Sequence, residues 1–415
     1  MRRVLIIGKT WPEPTSSAAG TRMLQLIDLF LSTEEWNITF VSPAQRTTYG
    51  GFLEEKTVQC SHLYPNDSKA DDFLRNLKPE LVIFDRFMIE EQFGWRVAQH
   101  CPNAVRILDT EDLHFLRRSR QIALERNEQQ EATLYNAIAY REIAAILRCD
   151  LSLIISRPEM QLLVDRFGLN RACLHYLPFL YQRLAEGVFQ QYPRFDQRKD
   201  FVFIGNFKHA PNQDAAFYLK EEVWPLIRQR LPEAEMRLYG AYPTGKVLKL
   251  DSPSEKFRVQ GRVEDLRSMF RGARILLAPL RYGAGLKGKL FDAMENGTPS
   301  VTTEIGAEGV ADRESFPGLI AADTPQEIAW AAVSLYQNKA QWYEAQQKVY
   351  PLFATDFNKA HFKRSFFDRL ERLRKDLITI RHQNFWQQLI LQHRLQSTRY
   401  LSRWIETKNK NTPIH

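Results

Sequence analysis

Short apolar runs alternate with amphipathic stretches along most of this chain. Met23, Leu26 and Phe30 recur at helical spacing and predict a helix over residues 22–32, and a charged stretch over residues 115–148 has the same spacing. Apolar runs predict buried strands at residues 4–7, 38–41, 81–84, 105–108 and 151–155 in the first half, and at residues 201–204, 236–239, 257–260, 275–278, 300–303 and 319–321 in the second. This alternation predicts an α/β protein built on parallel sheets.

The predicted strands fall into two sets, separated by a polar and irregular stretch. We predict an N-terminal Rossmann-like domain over residues 1–180, a linker over residues 181–199, a C-terminal Rossmann-like domain over residues 200–350 and helices over residues 351–415. Ligands of such sheets bind at the carboxyl ends of the strands. The predicted site is therefore the cleft between the two domains.

Composition narrows the class of protein. The chain has 415 residues, of which 44% are hydrophobic, enough for large buried cores and too many for a disordered chain. No run approaches the roughly 18 apolar residues that span a bilayer. The first apolar run is shorter than the roughly 7–15 residues of a signal peptide, so we expect a cytoplasmic protein. The four cysteines are scattered and predict neither disulfides nor a zinc site.

Positive charge is concentrated near the carboxyl end. The net charge is +8, and residues 374–410 hold eight Lys or Arg against two acidic residues. One interpretation is a helix that packs back on the first domain with a solvated basic face. The other is a peripheral contact with an anionic membrane. A nucleic-acid arm would also combine aromatic and basic residues, but the rest of the chain has no recognisable nucleic-acid module, so we predict no such partner. The helical periodicity of this segment is marked by Phe385, Trp386, Leu389, Ile390, Gln392 and Leu395.

One segment of the second half has the chemistry of a phosphate cradle. After a strand come Gly283 and Gly285, whose backbone amides can approach an anion, and then Lys287 and Lys289 at the start of a helix. Asp292 lies about one turn beyond Lys289, where its carboxylate could accept hydrogen bonds from a ribose diol. The spacing of a P-loop is absent, which disfavours a P-loop ATPase. As composition alone, the segment leaves a binding role and a purely structural role equally open.

The order of residues in this segment resembles the nucleotide-sugar-binding signature of family 4 glycosyltransferases, a large retaining group with the GT-B fold. Two further segments, FVFIGNFKHAPNQDA and VTTEIGAEGV, resemble that family's second-domain opening and its V-x-T-x-x-G-x-E-G turn. The likeness is strong over about residues 200–312 and looser in the amino-terminal half. One branch of the family carries R-x-G-x-G-x-[RK]-x-K-x-x-E-A-x-x-x-G-x-P-V, which is met by Arg281, Gly283, Gly285, Lys287, Lys289, Asp292, Ala293, Gly297 and Pro299.

The resemblance implies a retaining glycosyltransferase, with a nucleotide-sugar donor on the second domain and a glycan, lipid-linked or protein acceptor on the first. It implies no bound metal and no cofactor, and the family's commonest role is the assembly of surface polysaccharide or glycoconjugate. The residues to which it gives catalytic roles are Lys287, Lys289 and His114. Those to which it gives donor contacts are Gly20, Gly205, Asn206, Lys208, Arg281, Gly283, Gly285, Asp292, Glu308 and Gly309.

Two positions depart from the family's pattern. Many members have a Glu-x7-Glu pair, but here Asp292 stands at the second acid and Ala284 at the first, so recognition of the donor sugar must differ or rely on backbone groups. Other members hold the diphosphate with an Arg and a Lys on the first loop of this domain, where this chain has Lys208 between two asparagines. Lys287 and Lys289 are therefore expected to carry more of the positive charge.

Structural interpretations stand beside several of these roles. The loop before Gly20 holds serines that suit an ordinary helix cap. A lone histidine is more often structural, although the acids around His114 at a strand end favour a function. Glu308 would also stabilise a helix amino terminus. Asp85 and Arg86 follow a strand as well, but we rank them lower.

Two alternatives to a glycosyltransferase remain open at this point. A sugar-nucleotide epimerase of the same fold would share the cleft, although not this glycine–lysine order. A non-catalytic binding or scaffold protein would have kept the fold and lost the transfer reaction.

Overall fold

The computed structural model describes residues 1–47, 53–129 and 133–410, without the side chains of residues 392–398 and 410. In this part of the chain two parallel sheets lie on either side of a cleft. The two sheets correspond to the two predicted sets of strands, so the expectation of two Rossmann-like domains facing a central cleft is confirmed.

The first domain is a parallel sheet with helices on both faces. Along its first strand, Val4 and Ile6 enter one hydrophobic core while Leu5 and Ile7 enter the other. Burial on both faces explains why the strand is a continuous apolar run. Its described strands are β1 (Arg2–Ile7), β2 (Trp36–Ser42), β3 (Val58–His62), β4 (Leu81–Asp85), β5 (Val105–Asp109), β6 (Leu151–Ile154) and β7 (Leu174–Tyr176), in the order β3-β2-β1-β4-β5-β6-β7. Its described helices are α1 (Ala18–Leu31), α2 (Lys69–Leu77), α3 (Phe87–His100), α4 (His114–Arg126), α5 (Ala137–Arg148) and α6 (Arg157–Phe167).

Two features of this domain differ from the sequence prediction. The edge strands β3 and β7 were not predicted, because they are short and largely half-buried and so lack a continuous apolar run. The charged stretch over residues 115–148 contains two helices, α4 and α5, and its residues 130–132 lie outside the described part of the chain.

The second domain repeats the architecture with a smaller sheet, and each of its predicted apolar runs is a strand. Its described strands are β8 (Lys199–Ile204), β9 (Met236–Tyr239), β10 (Phe257–Gly261), β11 (Ala273–Ala278), β12 (Ser300–Thr302) and β13 (Gly318–Ile320), in the order β10-β9-β8-β11-β12-β13. Its described helices are α7 (Ala210–Tyr218), α8 (Trp224–Arg230), α9 (Gly245–Leu248), α10 (Leu266–Gly272), α11 (Gly288–Glu295), α12 (Glu304–Ala307), α13 (Pro325–Gln337), α14 (Lys339–Gln347) and α15 (Val349–Ala354).

The chain crosses between the domains twice, and the two crossings lie side by side. On the first crossing, the Tyr181 backbone amide donates to the Phe357 carbonyl, and the Lys359 amide donates back to Tyr181. The stretch after Tyr181, predicted as a polar linker, is built into the second domain, because Phe189 and Phe195 are buried in its core.

Two long helices after the second crossing return to the first domain. These are α16 (Lys359–Gln383) and α17 (Phe385–Lys410). On α17, the side-chain amide of Gln387 donates hydrogen bonds to the Arg148 backbone carbonyl, at the end of α5, and to the carboxylate of Asp150 just beyond it. The side chains of Gln392 and Leu395, which contributed to the predicted periodicity, lie outside the description. A stripe of α16 enters the core of the first domain through Phe362, Phe366, Leu370, Leu373 and Leu377.

Among the described residues, none of these helices combines the length and the apolar character that crossing a bilayer requires.

Candidate functional site

The carboxyl ends of the two sheets open on one cavity of about 510 Å³ between the domains. This is the position at which parallel α/β sheets bind their ligands. Eight of the predicted site residues line the cavity: His114, Gly205, Asn206, Lys208, Gly283, Lys287, Lys289 and Asp292.

Two lysines stand at the start of α11, on the second-domain wall. The Lys287 Nζ donates to the Gly285 carbonyl at 2.6 Å, and the Lys289 Nζ donates to the Asn212 Oδ1 at 2.7 Å. The Lys289 ammonium also lies 4.2 Å from the centroid of the Phe203 ring. No side chain caps the amino terminus of α11. Two ammonium groups and the first amides of the helix can therefore act together on an anion.

Burial shifts the acid–base chemistry of this wall. It lowers the pKa of Lys287 to about 8, and burial together with the nearby charge of Lys287 lowers the pKa of Lys289 to about 7. Burial also raises the pKa of Asp292 to about 7, and no hydrogen bond from a described residue reaches its carboxylate. A bound anion would favour the protonated lysines and raise their pKa values again.

The first loop of the second domain completes this wall. The Asn206 carbonyl accepts a hydrogen bond from the Asn212 amide, and the Asn206 side chain accepts one from the Lys208 backbone. The Lys208 ammonium lies 3.7 Å from the centroid of the Tyr242 ring. A Cβ at Gly205 would come within 2.6 Å of the Asn212 side chain. The absence of a side chain at Gly205 thus lets the Asn212 side chain pack against this loop, where its Oδ1 accepts the hydrogen bond from Lys289.

Five predicted donor contacts lie outside the cavity lining and are engaged with other protein groups. Arg281 forms a two-point ion pair with Asp214. Gly20 lies within α1, and its amide donates to Ser17, the residue that caps this helix. The contact of Gly20 is therefore that of an ordinary capped helix rather than a donor contact. The residues before it, 14–19, do line the cavity.

The other three, Gly285, Glu308 and Gly309, belong to the contact between the domains. Arg120 on α4 donates to both carboxylate oxygens of Glu308, at 2.7 and 2.6 Å, and to the Gly283 carbonyl at 2.8 Å. A Cβ at Gly309 would lie 3.0 Å from the Ser156 Cβ across the interface.

A buried carboxylate forms a second link between the domains. Glu159 on α6 accepts hydrogen bonds from the amides of Leu113, at 3.0 Å, and Gly285, at 2.8 Å. Gly285 is in the left-handed region, with a φ of 64°, and a Cβ there would lie 2.8 Å from the Asp112 Cβ. A glycine is required here by the backbone conformation and by the close approach of the first domain. The glycine-lysine loop therefore has its position set by both domains.

His114 lies at the amino terminus of α4, on the first-domain wall. Its Nδ1 is 3.2 Å from the Asp112 carbonyl and 3.4 Å from the Glu142 carboxylate, and its ring packs edge-on against Phe87. The Glu142 carboxylate also accepts hydrogen bonds from the backbone amides of His114 and Phe115. The ring is thus held in place while it faces the cavity.

The sequence prediction missed or ranked low five cavity residues, three of which are cationic. Two of the cations and the acid come within two residues of a strand end, and this position was the available signal, whereas Arg117 lies on α4 and His209 in the loop after β8. Only Arg86 was considered as a candidate, at a lower rank, and Glu111 appeared among the acids beside His114. These residues are Lys9, Arg86, Glu111, Arg117 and His209.

Within the described ranges, no group of three or more His, Cys, Asp or Glu side chains is arranged to hold a metal ion. Metal independence itself stays a prediction.

The sequence of the second domain matches a known family. A family model described as glycosyl transferases group 1 matches residues 198–338. A Klebsiella pneumoniae protein described as an uncharacterized 44.6 kDa protein in cps region is 26% identical over 141 residues, covering 32% of this chain and 36% of that protein. The matched stretch thus spans about a third of that curated relative's length.

Solved structures share the fold over about nine-tenths of this chain. Sucrose-phosphate synthase from Thermosynechococcus elongatus has a TM-score of 0.66 at 14% identity, over 90% of this chain and 99% of that chain. A variant of S. aureus TarM in complex with fondaparinux, alpha-GlcNAc-glycerol and UDP has a TM-score of 0.69 at 9% identity, over 89% and 99%. Anabaena HepE in complex with UDP and glucose has a TM-score of 0.65 at 12% identity, over 89% and 100%.

These likenesses show the GT-B fold that the sequence predicted. Together with the family match, they support a group 1 glycosyltransferase.

Proposed function

We propose that this protein transfers a sugar from a nucleotide-sugar donor to an acceptor with retention of anomeric configuration, in the assembly of a surface polysaccharide or glycoconjugate. The observation that carries the proposal is the pair Lys287 and Lys289 at the uncapped start of α11, inside the interdomain cavity. The similarity of about a third of this chain to a protein of a cps region favours polysaccharide assembly.

The leaving group determines what the second-domain wall must do. When the bond between sugar and phosphate breaks, negative charge builds on the departing diphosphate, and preorganised positive groups stabilise that charge. In our proposal these positive groups are the ammonium groups of Lys287 and Lys289, together with the backbone amides at Gly283 and at the start of α11. Asp292 lies one helical turn beyond Lys289 with a free carboxylate, which suits hydrogen bonds from the ribose hydroxyls.

In the proposed reaction the acceptor hydroxyl attacks the anomeric carbon on the face that the diphosphate leaves. The acceptor proton passes to the departing phosphate oxygen, so no strong protein base is required. His114 faces the cavity from the opposite domain, in a fixed orientation, and we assign it a contact with the transferred sugar or the acceptor. Ala284 replaces the first acid of the family's pair, so donor-sugar recognition falls to the backbone groups around it.

A binding panel separates this function from a scaffold. UDP-, GDP- and ADP-sugars are added to the purified protein, and the shift of its melting temperature is measured. Binding of each nucleotide sugar that raises the melting temperature is then measured by calorimetry. We expect one nucleotide class to stabilise the protein and Lys289→Ala to weaken its binding. Lys348→Ala is the matched control and should bind like the wild type, because Lys348 directly follows α14, outside the cavity. Absence of binding by every nucleotide sugar would favour the scaffold.

We propose in addition that α17 contacts an anionic membrane surface. Its outward face carries Phe385, Trp386, Tyr400 and Trp404, each more than 60% exposed. The acidic residue of this helix, Glu406, is turned inward, where it pairs with the buried Arg96. The exposed Arg403 and Lys408 lie on the same helix. Its exposed surface is therefore aromatic and basic, the combination that suits an interface with anionic lipid.

Vesicle co-sedimentation tests this contact on the full chain. The double variant Trp386→Ala/Trp404→Ala should lose most binding to vesicles containing phosphatidylserine. Trp330→Ala is the control, because Trp330 is 73% exposed on α13 of the other domain. Equal sedimentation of all three proteins, or no sedimentation of the wild type, would contradict the membrane proposal.

A further inference from the structure

The turn of residues 282–286, which leads from β11 into α11, belongs to the second domain but is inserted into the first. Ala284, in the middle of this turn, packs in a hydrophobic cluster whose other members are first-domain residues. A Cβ at Gly285 would lie 2.8 Å from the Asp112 Cβ of the first domain. The turn is followed directly by Lys287, so the first domain contacts the segment that places the proposed donor site.

Most of the hydrogen bonds that hold the backbone of this turn come from the first domain. Among the described residues, three hydrogen bonds reach its backbone. Arg120 donates to the Gly283 carbonyl, and the Gly285 amide donates to Glu159, each at 2.8 Å. The third, from the Lys287 Nζ to the Gly285 carbonyl, lies within the second domain. The conformation of the turn therefore depends on contact between the domains.

Glu159 is anchored in the first domain and reaches across the interface. It lies in the first turn of α6, where its backbone amide donates to the Ser156 side chain that caps the helix. Its Oε1 accepts hydrogen bonds from the Leu113 amide, at 3.0 Å, and from the Gly285 amide, and its side chain is fully buried. A buried acceptor with two amide donors has a defined position. Glu159 therefore holds the Gly285 amide at a fixed place relative to the first domain.

The backbone of Gly285 connects Glu159 to the first lysine of the proposed donor site. The Gly285 amide donates to Glu159, and the Gly285 carbonyl accepts from the Lys287 Nζ at 2.6 Å. Gly285 has a φ of 64°, and a glycine that is not held would also populate negative φ values. The hydrogen bond to Gly285 leaves two N–H groups of the Lys287 ammonium for an anion. Holding Gly285 thus holds this ammonium at the cavity.

The charge of Glu159 has opposing effects on the donor site. Burial lowers the pKa of Lys287 to about 8, and the charges of Glu308 and Glu159 oppose this shift. The same negative charges repel a bound diphosphate. The hydrogen bond from Gly285 to Glu159 acts in one direction only, because it holds the turn in one conformation. The length of the Glu159 side chain should therefore matter more for donor binding than its charge.

We propose that Glu159 is a positioning residue of the donor site: it holds the Gly285 amide across the domain interface and, through Gly285, places Lys287 against the donor diphosphate. This inference rests on the proposed function, because that function assigns the diphosphate to the start of α11. Donor affinity then depends on a carboxylate of the opposite domain that does not itself touch the donor. A turn released from Glu159 spends only a fraction of its time in the binding conformation, and the apparent affinity falls by that fraction.

Two conservative variants of the full chain separate the length of this side chain from its charge. Glu159→Asp keeps the charge but is one methylene shorter, whereas Glu159→Gln keeps the length and an acceptor oxygen but has no charge. UDP, GDP and ADP are titrated by calorimetry, and the nucleotide that binds the wild type most tightly is used for the comparison. We expect Glu159→Asp to bind it about tenfold or more weakly, the scale of a hydrogen bond to a charged group, and Glu159→Gln to stay within about threefold of the wild type.

Hydrogen–deuterium exchange locates the change in the protein without nucleotide. The peptide that covers residues 282–287 should exchange faster in Glu159→Asp than in the wild type, because the Gly285 amide loses its acceptor. The same peptide should exchange in Glu159→Gln as it does in the wild type. Glu90→Asp is the matched control, since Glu90 is a buried carboxylate of the first domain that pairs with Arg148 outside the cavity. It should lower the melting temperature and leave both nucleotide affinity and exchange of the turn unchanged.

Each outcome has a distinct meaning. Wild-type affinity in Glu159→Asp would overturn the inference, because the length of the side chain would then be irrelevant. Equal losses in Glu159→Asp and Glu159→Gln would overturn it in favour of the charge, and an equal loss in Glu90→Asp would overturn it in favour of a general loss of stability. Failure of all three nucleotides to bind the wild type would instead overturn the proposed function on which the inference rests.

Discussion

Raising the pH should weaken nucleotide binding, and the buried lysines of α11 determine by how much. A lysine must be protonated to hold a diphosphate. The affinity for the nucleotide is therefore highest at pH values below the pKa that the lysine has in the free protein, and it falls as the pH rises through that pKa. The pKa of Lys289 is lowered by burial to about 7 and that of Lys287 to about 8. Both groups lose protons in an accessible pH range.

The size of the effect follows from these values. A lysine with a pKa near 7 is half protonated at pH 7 and about one-tenth protonated at pH 8, which weakens binding about fivefold. Lys287 adds about a factor of two over the same interval, so the dissociation constant for UDP should rise about tenfold. Each binding event should also take up protons, since the bound diphosphate restores the charged lysines.

Calorimetry measures the dissociation constant for UDP at pH 7 and pH 8. Repeating it in buffers of different ionisation enthalpy gives the number of protons taken up on binding. Lys289→Arg is the matched variant, because arginine stays charged over this range, and its dissociation constant should rise only about twofold. A wild-type affinity that does not change between pH 7 and 8, or a variant with the wild-type pH dependence, would refute the assignment of Lys289 to the diphosphate.

Three further predictions concern turnover, the ribose contact and domain closure. Lys289→Ala should lower kcat by about 10²-fold or more, the scale for removing one strong charge-stabilising donor, and turnover at the wild-type rate would contradict its role. Asp292→Asn should weaken UDP binding more than it weakens binding of 2′-deoxy-UDP, and equal losses in calorimetry would exclude a ribose contact. Arg120→Met should increase the radius of gyration in small-angle scattering and weaken nucleotide-sugar binding, because it leaves the carboxylate of Glu308 unpaired at the interface. The double variant Arg120→Met/Glu308→Met should recover part of the affinity, and no recovery would show that the loss has another origin.

The central strands and the donor wall could be predicted because their signals are local. A strand buried on both faces, such as β1 or β11, appears as an unbroken apolar run, whereas the edge strand β3 is partly solvated and gives no such run. The order of glycines and lysines around Lys287 and Lys289 likewise lies within one segment of sequence.

The rest of the site depends on contacts that no local pattern encodes. Glu308 was expected at the donor, but Arg120, 188 positions away in sequence, holds it at the domain interface. The link from Glu159 to the Gly285 amide and the strained backbone at Arg86 also arise only when the two domains meet or neighbouring strands align. Resemblance to a signature therefore identified the loop but not which of its members face the cavity.

Sugar transfer is tested by following the donor during the reaction. The purified protein is incubated with the nucleotide sugar that it binds and with glycan and lipid-linked acceptors, and ¹H and ³¹P NMR record the release of nucleoside diphosphate and the anomer of the transferred sugar. We expect the diphosphate to be released, the sugar to appear first with the anomeric configuration that it had in the donor, and the rate to be about 10²-fold lower in Lys289→Ala. A donor that binds and stays intact would identify a scaffold, and a donor converted to an epimeric nucleotide sugar would identify an epimerase. Either result would contradict sugar transfer.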